Sequence, residues 1–165
     1  KVLKINKKKF ISALESFKGL PHRYEIFYKK KNVIFINDSK ATSFESTKFD
    51  LSNNKNIFWI LGGLPKYKDK FKLNKFKDNI SKAYIIGNHT NYFKKYFKNR
   101  IDYSISFNLK KAIKKILIDI KNFNNKSVVL LSPSSASYDQ FENFADRGNQ
   151  FKKLVKFYVN RTIKK

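Results

Sequence analysis

The chain has 165 residues, 41% apolar and 16% aromatic, which is enough to bury one core and too little for two large ones. It has no cysteine, which excludes a disulfide framework and a thiolate metal site, and no apolar run approaches the length that crosses a bilayer. The net charge of +25 leaves two explanations open, a polyanion-binding surface or a coding bias toward lysine.

The distribution of that charge favours the second explanation. Of the 37 basic residues only Arg23, Arg100, Arg147 and Arg161 are arginine, the residue suited to bidentate contacts with phosphate and guanine. The lysines run along the whole length and form no stripe. Abundant Lys, Asn, Ile and Phe with little Ala and Arg is what an AT-biased coding sequence produces. A basic nucleic-acid-binding α/β module is kept as the alternative, but no specific nucleic acid and no membrane insertion are expected. Lys1-Val2-Leu3-Lys4 lacks the apolar stretch of a signal peptide, and with no methionine even at position 1 the sequence is expected to be a segment of something longer.

In chain order, residues 5 to 17 read as the end of a helix with Phe10, Ile11, Leu14 and Phe17 on one face, stopped by Gly19-Leu20-Pro21. Strand-length runs follow at Tyr24 to Tyr28, Val33 to Ile36, Ile57 to Leu61, Ala83 to Ile86, Tyr103 to Ile105 and Val128 to Leu131. Helices are predicted at Ser43 to Leu51, Leu73 to Ile80, Asn91 to Phe97, Leu109 to Ile120 and Tyr138 to Val159. Only Lys29 to Asn32 separates the first two strands, which suits a hairpin; the later alternation suits a parallel sheet. The expectation is a three-layer, Rossmann-like α/β domain with a mostly parallel, roughly six-stranded sheet and an N-terminal hairpin strand.

Ligands of open α/β sheets bind at the carboxyl ends of the strands, and three of these ends are unusual. They read Asn37-Asp38-Ser39-Lys40-Ala41-Thr42, Gly62-Gly63-Leu64-Pro65-Lys66 and Ser132-Pro133-Ser134-Ser135-Ala136-Ser137. Together they bring lysines, hydroxyls, a glycine pair and helix N-termini to one edge, which is the composition of an anion pocket. Taken singly, each has a plainer reading. Thr42, Ser43 and Ser137 read as helix caps, Gly62-Gly63 as a tight turn, Lys66 as a solvated lysine and Phe144 as a core aromatic. His22 and His89 lie far apart and suggest no metal pair; no catalytic residue and no metal ligand is assigned in this segment, and no G-x-x-x-x-G-K-[ST] loop occurs.

Gly19-Leu20-Pro21-His22-Arg23, Asn37 through Thr42, Leu61-Gly62-Gly63 with Lys66, and Leu131-Ser132-Pro133 through Ser137-Tyr138-Asp139-Gln140-Phe141 to Asn143-Phe144 and Arg147-Gly148 resemble the C-terminal domain of the Mur ligases. Order and spacing agree over about residues 19 to 157. The Ser-Lys-Ala-Thr tetrad and the Asp-Gln-Phe segment are similar to the D-glutamate-adding branch, with a ligase for another acidic amino acid as the alternative. The resemblance implies part of a cytoplasmic, monomeric ATP- and Mg2+-dependent amide ligase of peptidoglycan precursor synthesis. In such an enzyme the carboxylate of UDP-N-acetylmuramoyl-L-alanine is phosphorylated and the amine of D-glutamate attacks the acyl phosphate. It further implies that Lys40, Thr42, Lys66, Ser137 and Phe144 hold the carboxylates of D-glutamate, and that Arg23 and Asp38 meet ATP when the domain closes against its own N-terminal and central domains. Residues 1 to 18 then belong to the tail of the central ATPase domain or a linker helix, and 19 to 165 to the C-terminal domain. The P-loop and most metal ligands are expected outside this segment, which is not expected to turn over alone.

Overall fold

The computed structural model describes residues 5–66 and 69–162. Helix α1 (Lys7–Ser16) is followed by the antiparallel hairpin β1 (Glu25–Lys30) and β2 (Val33–Asn37), then α2 (Phe44–Asn53) and β3 (Ile57–Gly62). After two 3₁₀ turns come β4 (Ile80–Ile86), α3 (Thr90–Phe97), β5 (Tyr103–Phe107), α4 (Leu109–Lys121), β6 (Ser127–Leu131) and α5 (Phe144–Thr162). The six strands lie in the order β1-β2-β6-β3-β4-β5, and every neighbouring pair but the first is parallel. The hairpin, the parallel sheet and its six strands agree with the sequence expectation.

The strand sequences explain the three layers. Side chains alternate across a strand, so Val33, Phe35, Phe58, Ile60, Tyr84, Ile86, Val129 and Leu131 face one layer and Ile36, Ile57, Trp59, Leu61, Ala83, Ile85, Val128 and Leu130 the other. β3 and β6 sit in the middle, covered on both faces, and are accordingly apolar without interruption along almost their whole length. The first face is covered by α4 and α5. In α4, Leu109, Ala112, Ile113, Ile116, Leu117 and Ile120 recur every three or four residues and are all buried; Asn108 caps the helix by accepting from the Lys111 N–H at 2.9 Å. Each such leucine or isoleucine contributes about 1.5–3 kcal/mol. The second face is covered by α2, α3 and an aromatic cluster in which Phe44 stacks on Phe71 at 4.5 Å.

Two predicted helices differ from the observed structure. Residues Leu73 to Ile80 form two 3₁₀ turns, Leu73–Lys75 and Lys77–Asn79, that lead directly into β4. A 3₁₀ turn also places apolar residues three apart, so Leu73 and Phe76 satisfy both patterns. The run is broken at Asn79, whose buried amide donates to the Leu51 carbonyl at 2.8 Å and accepts from Lys55. The last helix starts at Phe144 and not at Tyr138. Residues 138 to 143 turn, with the Gln140 and Phe141 N–H groups donating to the Ser137 carbonyl, and Asn143 caps α5 through the Asp146 N–H at 2.9 Å. In α1 the predicted apolar face forms but buries nothing: Phe10, Ile11 and Leu14 are exposed, as is Phe17 just beyond.

Candidate functional site

The loop after β2 is bent back and held from beneath. Its Asp38 N–H donates to the Leu131 carbonyl at 2.8 Å, and the Lys40 N–H to the His22 carbonyl at 3.0 Å. Under it lies the fully buried Arg147 of α5, whose Nε donates to Ser39 Oγ at 2.9 Å. Its Nη2 donates to the Ser39 carbonyl at 2.9 Å, and both terminal nitrogens donate to the Ser135 carbonyl at 3.1 Å. One guanidinium thus ties the β2 loop to the β6 loop. Burial lowers its pKa to about 10, an effect that Asp139 opposes, so Arg147 remains charged at neutral pH. The neighbouring Gly148 allows a close approach: a Cβ there would lie 2.2 Å from His22 Nδ1.

The loops after β3 and β6 are joined by a short antiparallel bridge. The Leu64 N–H donates to the Ala136 carbonyl at 2.9 Å and the Ala136 N–H to the Leu64 carbonyl at 3.1 Å. Gly63 makes this possible, because its φ of +133° is open to glycine and a Cβ would meet the Ala136 carbonyl oxygen at 2.2 Å. Below the bridge a hydroxyl chain runs from Ser132 to Thr47 to Ser134, with steps of 2.9 and 2.8 Å.

On the β1 side of the β2 loop, His22 and Tyr24 adopt left-handed backbone conformations and place Arg23 between them. Asn37 locks this turn, its amide lying 2.9 Å from His22 Nδ1 and donating to Glu25 Oε2 at 3.0 Å. Burial lowers the His22 pKa, helped by Lys152 and opposed by Glu25, so the ring is neutral at neutral pH. For Glu25, burial pushes upward, but the His22 N–H, Lys152 and Asn37 together hold the carboxyl below its usual range.

Arg23, Tyr24, Asp38, Lys40, Ala41, Ser46, Phe49 and Asp50 line a cavity of about 360 Å³. Tyr24 and Phe49 meet edge to face at 5.5 Å and supply its aromatic wall. Asp38 and Asp50 lie side by side in it. Burial raises both pKa values; for Asp50 the Asp38 charge adds to this and Ser132 opposes it, with the result pushed up to about 8. The Tyr24 N–H and Arg23 work in the other direction on Asp38.

Of the residues singled out in the sequence, Arg23, Asp38 and Lys40 share this cavity. Phe144 is no core aromatic: it belongs to neither core cluster, lies half-buried at the start of α5, and carries Lys40 Nζ 3.8 Å above its ring with His22 edge-on at 6.1 Å. Thr42 is half-buried one residue before the cap of α2, which is Ser43 and not Thr42; Ser43 Oγ accepts from the Ser46 N–H at 3.3 Å. Ser137 is buried and opens a turn, so it caps no helix. Lys66 is exposed beyond the Leu64–Ala136 bridge. Arg147, Asp50, Glu25 and Asn37 were given no separate role by sequence reasoning. Arg147 was visible as a rare arginine in a lysine-rich chain and, with Gly148, as part of the family resemblance, neither of which shows that it is a buried brace.

No family model matches the chain. Curated relatives do. The chain is 40% identical, over 99% of its length, to 34% of a protein named "UDP-N-acetylmuramoylalanine--D-glutamate ligase" from Wolbachia sp. subsp. Brugia malayi. Proteins of the same name from Nitrobacter winogradskyi (42% identity over 86% of the chain and 31% of the relative) and Rickettsia felis (36% over 99% and 37%) are similar in the same way. Among solved structures, a murein peptide ligase from Psychrobacter arcticus 273-4 aligns over 87% of this chain and 32% of its own, at 10% identity and a TM-score of 0.49. The chain thus spans about a third of the length of the curated relatives it matches. Over that third, which is their C-terminal part, the chain is a relative of the UDP-N-acetylmuramoylalanine--D-glutamate ligases.

Proposed function

We propose that this chain is the domain of a D-glutamate-adding amide ligase that grips the amino acid's carboxylates and closes over ATP. The observation that carries the reading is the clustering of Arg23, Asp38 and Lys40 on one cavity, with Phe144 directly under the Lys40 ammonium. A dicarboxylate needs two donor-rich places held apart. Lys40, with Thr42 beside it and Phe144 beneath, is one; Lys66 and Ser137, on the bridged β3 and β6 loops, are the other. Arg23 and Asp38 are the nucleotide contacts, the guanidinium toward phosphate and the carboxylate toward the ribose hydroxyls.

The cavity fits ATP in its donor set: a cation for phosphate, a carboxylate for hydroxyls and an aromatic wall. Among the described residues no three His, Cys, Asp or Glu side chains are grouped to hold a metal ion, so the residues here do not fit a Mg2+ site of their own. The ATP-bearing centre belongs to the preceding part of the full-length ligase. There UDP-N-acetylmuramoyl-L-alanine is activated on its carboxylate, and this domain delivers the amine of D-glutamate and shuts out water that would hydrolyse the acyl phosphate. Residues 1 to 18 are proposed to belong to that preceding domain or to a linker helix. The exposed apolar face of α1, which buries nothing against residues 19 to 162, supports this division. The full-length enzyme is proposed to act as a cytoplasmic monomer; among the described residues no helix is long and apolar enough to cross a membrane.

The test is phosphate release from ATP by the full-length parent chain given UDP-N-acetylmuramoyl-L-alanine with D-glutamate, L-glutamate or no amino acid, alongside Lys66→Ala. Release that requires D-glutamate and falls sharply in the variant is expected. No release with any acceptor, from a folded full-length protein, overturns the reading. The 165-residue chain alone is expected to bind D-glutamate weakly and to hydrolyse no ATP.

A further inference from the structure

Asp50 has no part in the roles assigned above, yet its placement requires an explanation. It lies near the end of α2, 1% exposed, and lines the cavity beside Asp38. Its Oδ2 is buried and has no hydrogen-bond partner among the described residues, and Asp50 takes part in no ion pair among them. The groups that face it are Asp38 from the end of β2, the Ser132 hydroxyl from the end of β6, and across the cavity Arg23, Tyr24 and Lys40. Arg23 acts on Asp38. Two adjacent carboxyls at this depth cannot both be ionised, because neither solvent nor a cation screens the inner one.

A carboxyl whose oxygen finds no donor is what a protonated acid looks like, since the acid is itself the donor. The neighbouring acceptor is Asp38. The Tyr24 N–H also acts on that carboxylate, while the cavity before it holds Arg23 and Lys40.

We infer that Asp50 carries a proton that it donates to Asp38, and that this hydrogen bond fixes the Asp38 carboxylate as the acceptor for the ribose hydroxyls of a bound nucleotide. The inference rests on the nucleotide reading of the cavity. Asp50 is a positioning residue: it acts through Asp38 and leaves phosphate transfer to other groups. Its counterpart in function is a carboxylic acid kept neutral by an apolar site so that it can donate.

The experiment has two arms. In the first, KM for ATP and kcat are measured for the full-length ligase, its Asp50→Asn variant and its Asp50→Ala variant from about pH 6 to pH 10. Asparagine keeps an N–H for Asp38 and cannot ionise, so KM for ATP stays within about twofold of the parent and no longer depends on pH above 8. Alanine removes the donor: KM for ATP rises by about tenfold while kcat changes less. In the parent, KM for ATP rises as the pH passes 8 and the donor is lost. Equal KM values and equal pH profiles in all three proteins overturn the inference. The second arm follows the aspartate carboxyl carbons of the 165-residue chain by NMR. A carboxyl that titrates near pH 8 and disappears in Asp50→Asn supports the inference, and titration of Asp50 in the ordinary carboxylate range overturns it. An inactive but folded parent with the expected titration defeats the ligase reading, leaves the proton where it is inferred and removes the ribose from its role.

Discussion

Two lysines were read from the sequence as partners in one pocket, and the structure gives them opposite surroundings. Lys40 rides on a loop whose backbone is bonded to His22, Leu131 and Arg147, and its ammonium rests 3.8 Å from the Phe144 ring. Lys66 stands exposed beyond a glycine turn and a two-bond bridge. The first is preorganised: its position is set before any ligand arrives, so little ordering entropy is lost on binding. The second is exposed, and ordering its long side chain costs about 2 kcal/mol at binding. Under the proposed function, one lysine defines where an acidic amino acid docks and the other fastens it.

The most damaging way to break this difference is to remove the brace. Arg147→Leu leaves the Ser39 and Ser135 carbonyls buried without donors, and a loss of roughly 3–5 kcal/mol is expected in urea unfolding of the 165-residue chain. The full-length enzyme should lose D-glutamate-dependent phosphate release with it. A loss below 1 kcal/mol, within the range of an ordinary surface change, would mean that the loop holds itself. Gly148→Ala attacks the same brace from the other side, through contact with His22, and should cost about 2–3 kcal/mol.

Lys40→Ala and Lys66→Ala then separate the two lysines directly. Both are expected to leave the urea midpoint nearly unchanged, by less than about 1 kcal/mol, because neither side chain packs in a core. Phosphate release should fall by roughly a hundredfold for Lys40, mostly in kcat/KM, and by about tenfold or more for Lys66. Equal losses would show that preorganisation counts for nothing here.

Against pH, the smallest expected effect belongs to Glu25. The Glu25 carboxyl is held below its usual range, so the folded state favours the ionised form. Its stabilisation is present above the unfolded pKa and is lost as pH falls through the lower folded value, worth at most about 1 kcal/mol for this partly exposed pair with Lys152. Asp50 has the opposite sign. Its raised folded pKa means that stability declines as pH climbs from the ordinary carboxylate range to about 8. Urea midpoints of Glu25→Gln and Asp50→Asn against pH should therefore diverge from the parent in opposite windows, the first in acid and the second toward pH 8.

The sheet was legible because β2, β3, β4 and β6 each carry an uninterrupted apolar run of four or five residues, a pattern that survives whatever lies around it. The segment Leu73 to Ile80 was not, since α and 3₁₀ turns share the three-residue spacing and the deciding contact is a tertiary one, Asn79 to Leu51. Among site residues, Asp38, Lys40 and Arg23 announced themselves by following a strand or a glycine-proline stop. Asp50 did not. In sequence it is one polar residue late in a short helix, and only the packing of that helix against the β2 loop buries it beside a second acid. Phe144 misled for the same reason, because an aromatic at the start of a helix carries no mark of which way it faces.

The sheet order β2-β6-β3 has a consequence for how such a chain comes off the ribosome. β2 and β3 are separated by 19 residues in sequence, yet they are not neighbours; the place between them stays vacant until Ser127–Leu131 has been synthesised. The loops after β2 and β3 therefore cannot come together in the early part of translation, and Arg147, which ties the first of them to the β6 loop, emerges later still. The ligand-facing edge is an all-or-nothing product of a late, long-range insertion, so a prematurely terminated chain exposes two unpaired strand edges and no binding surface at all.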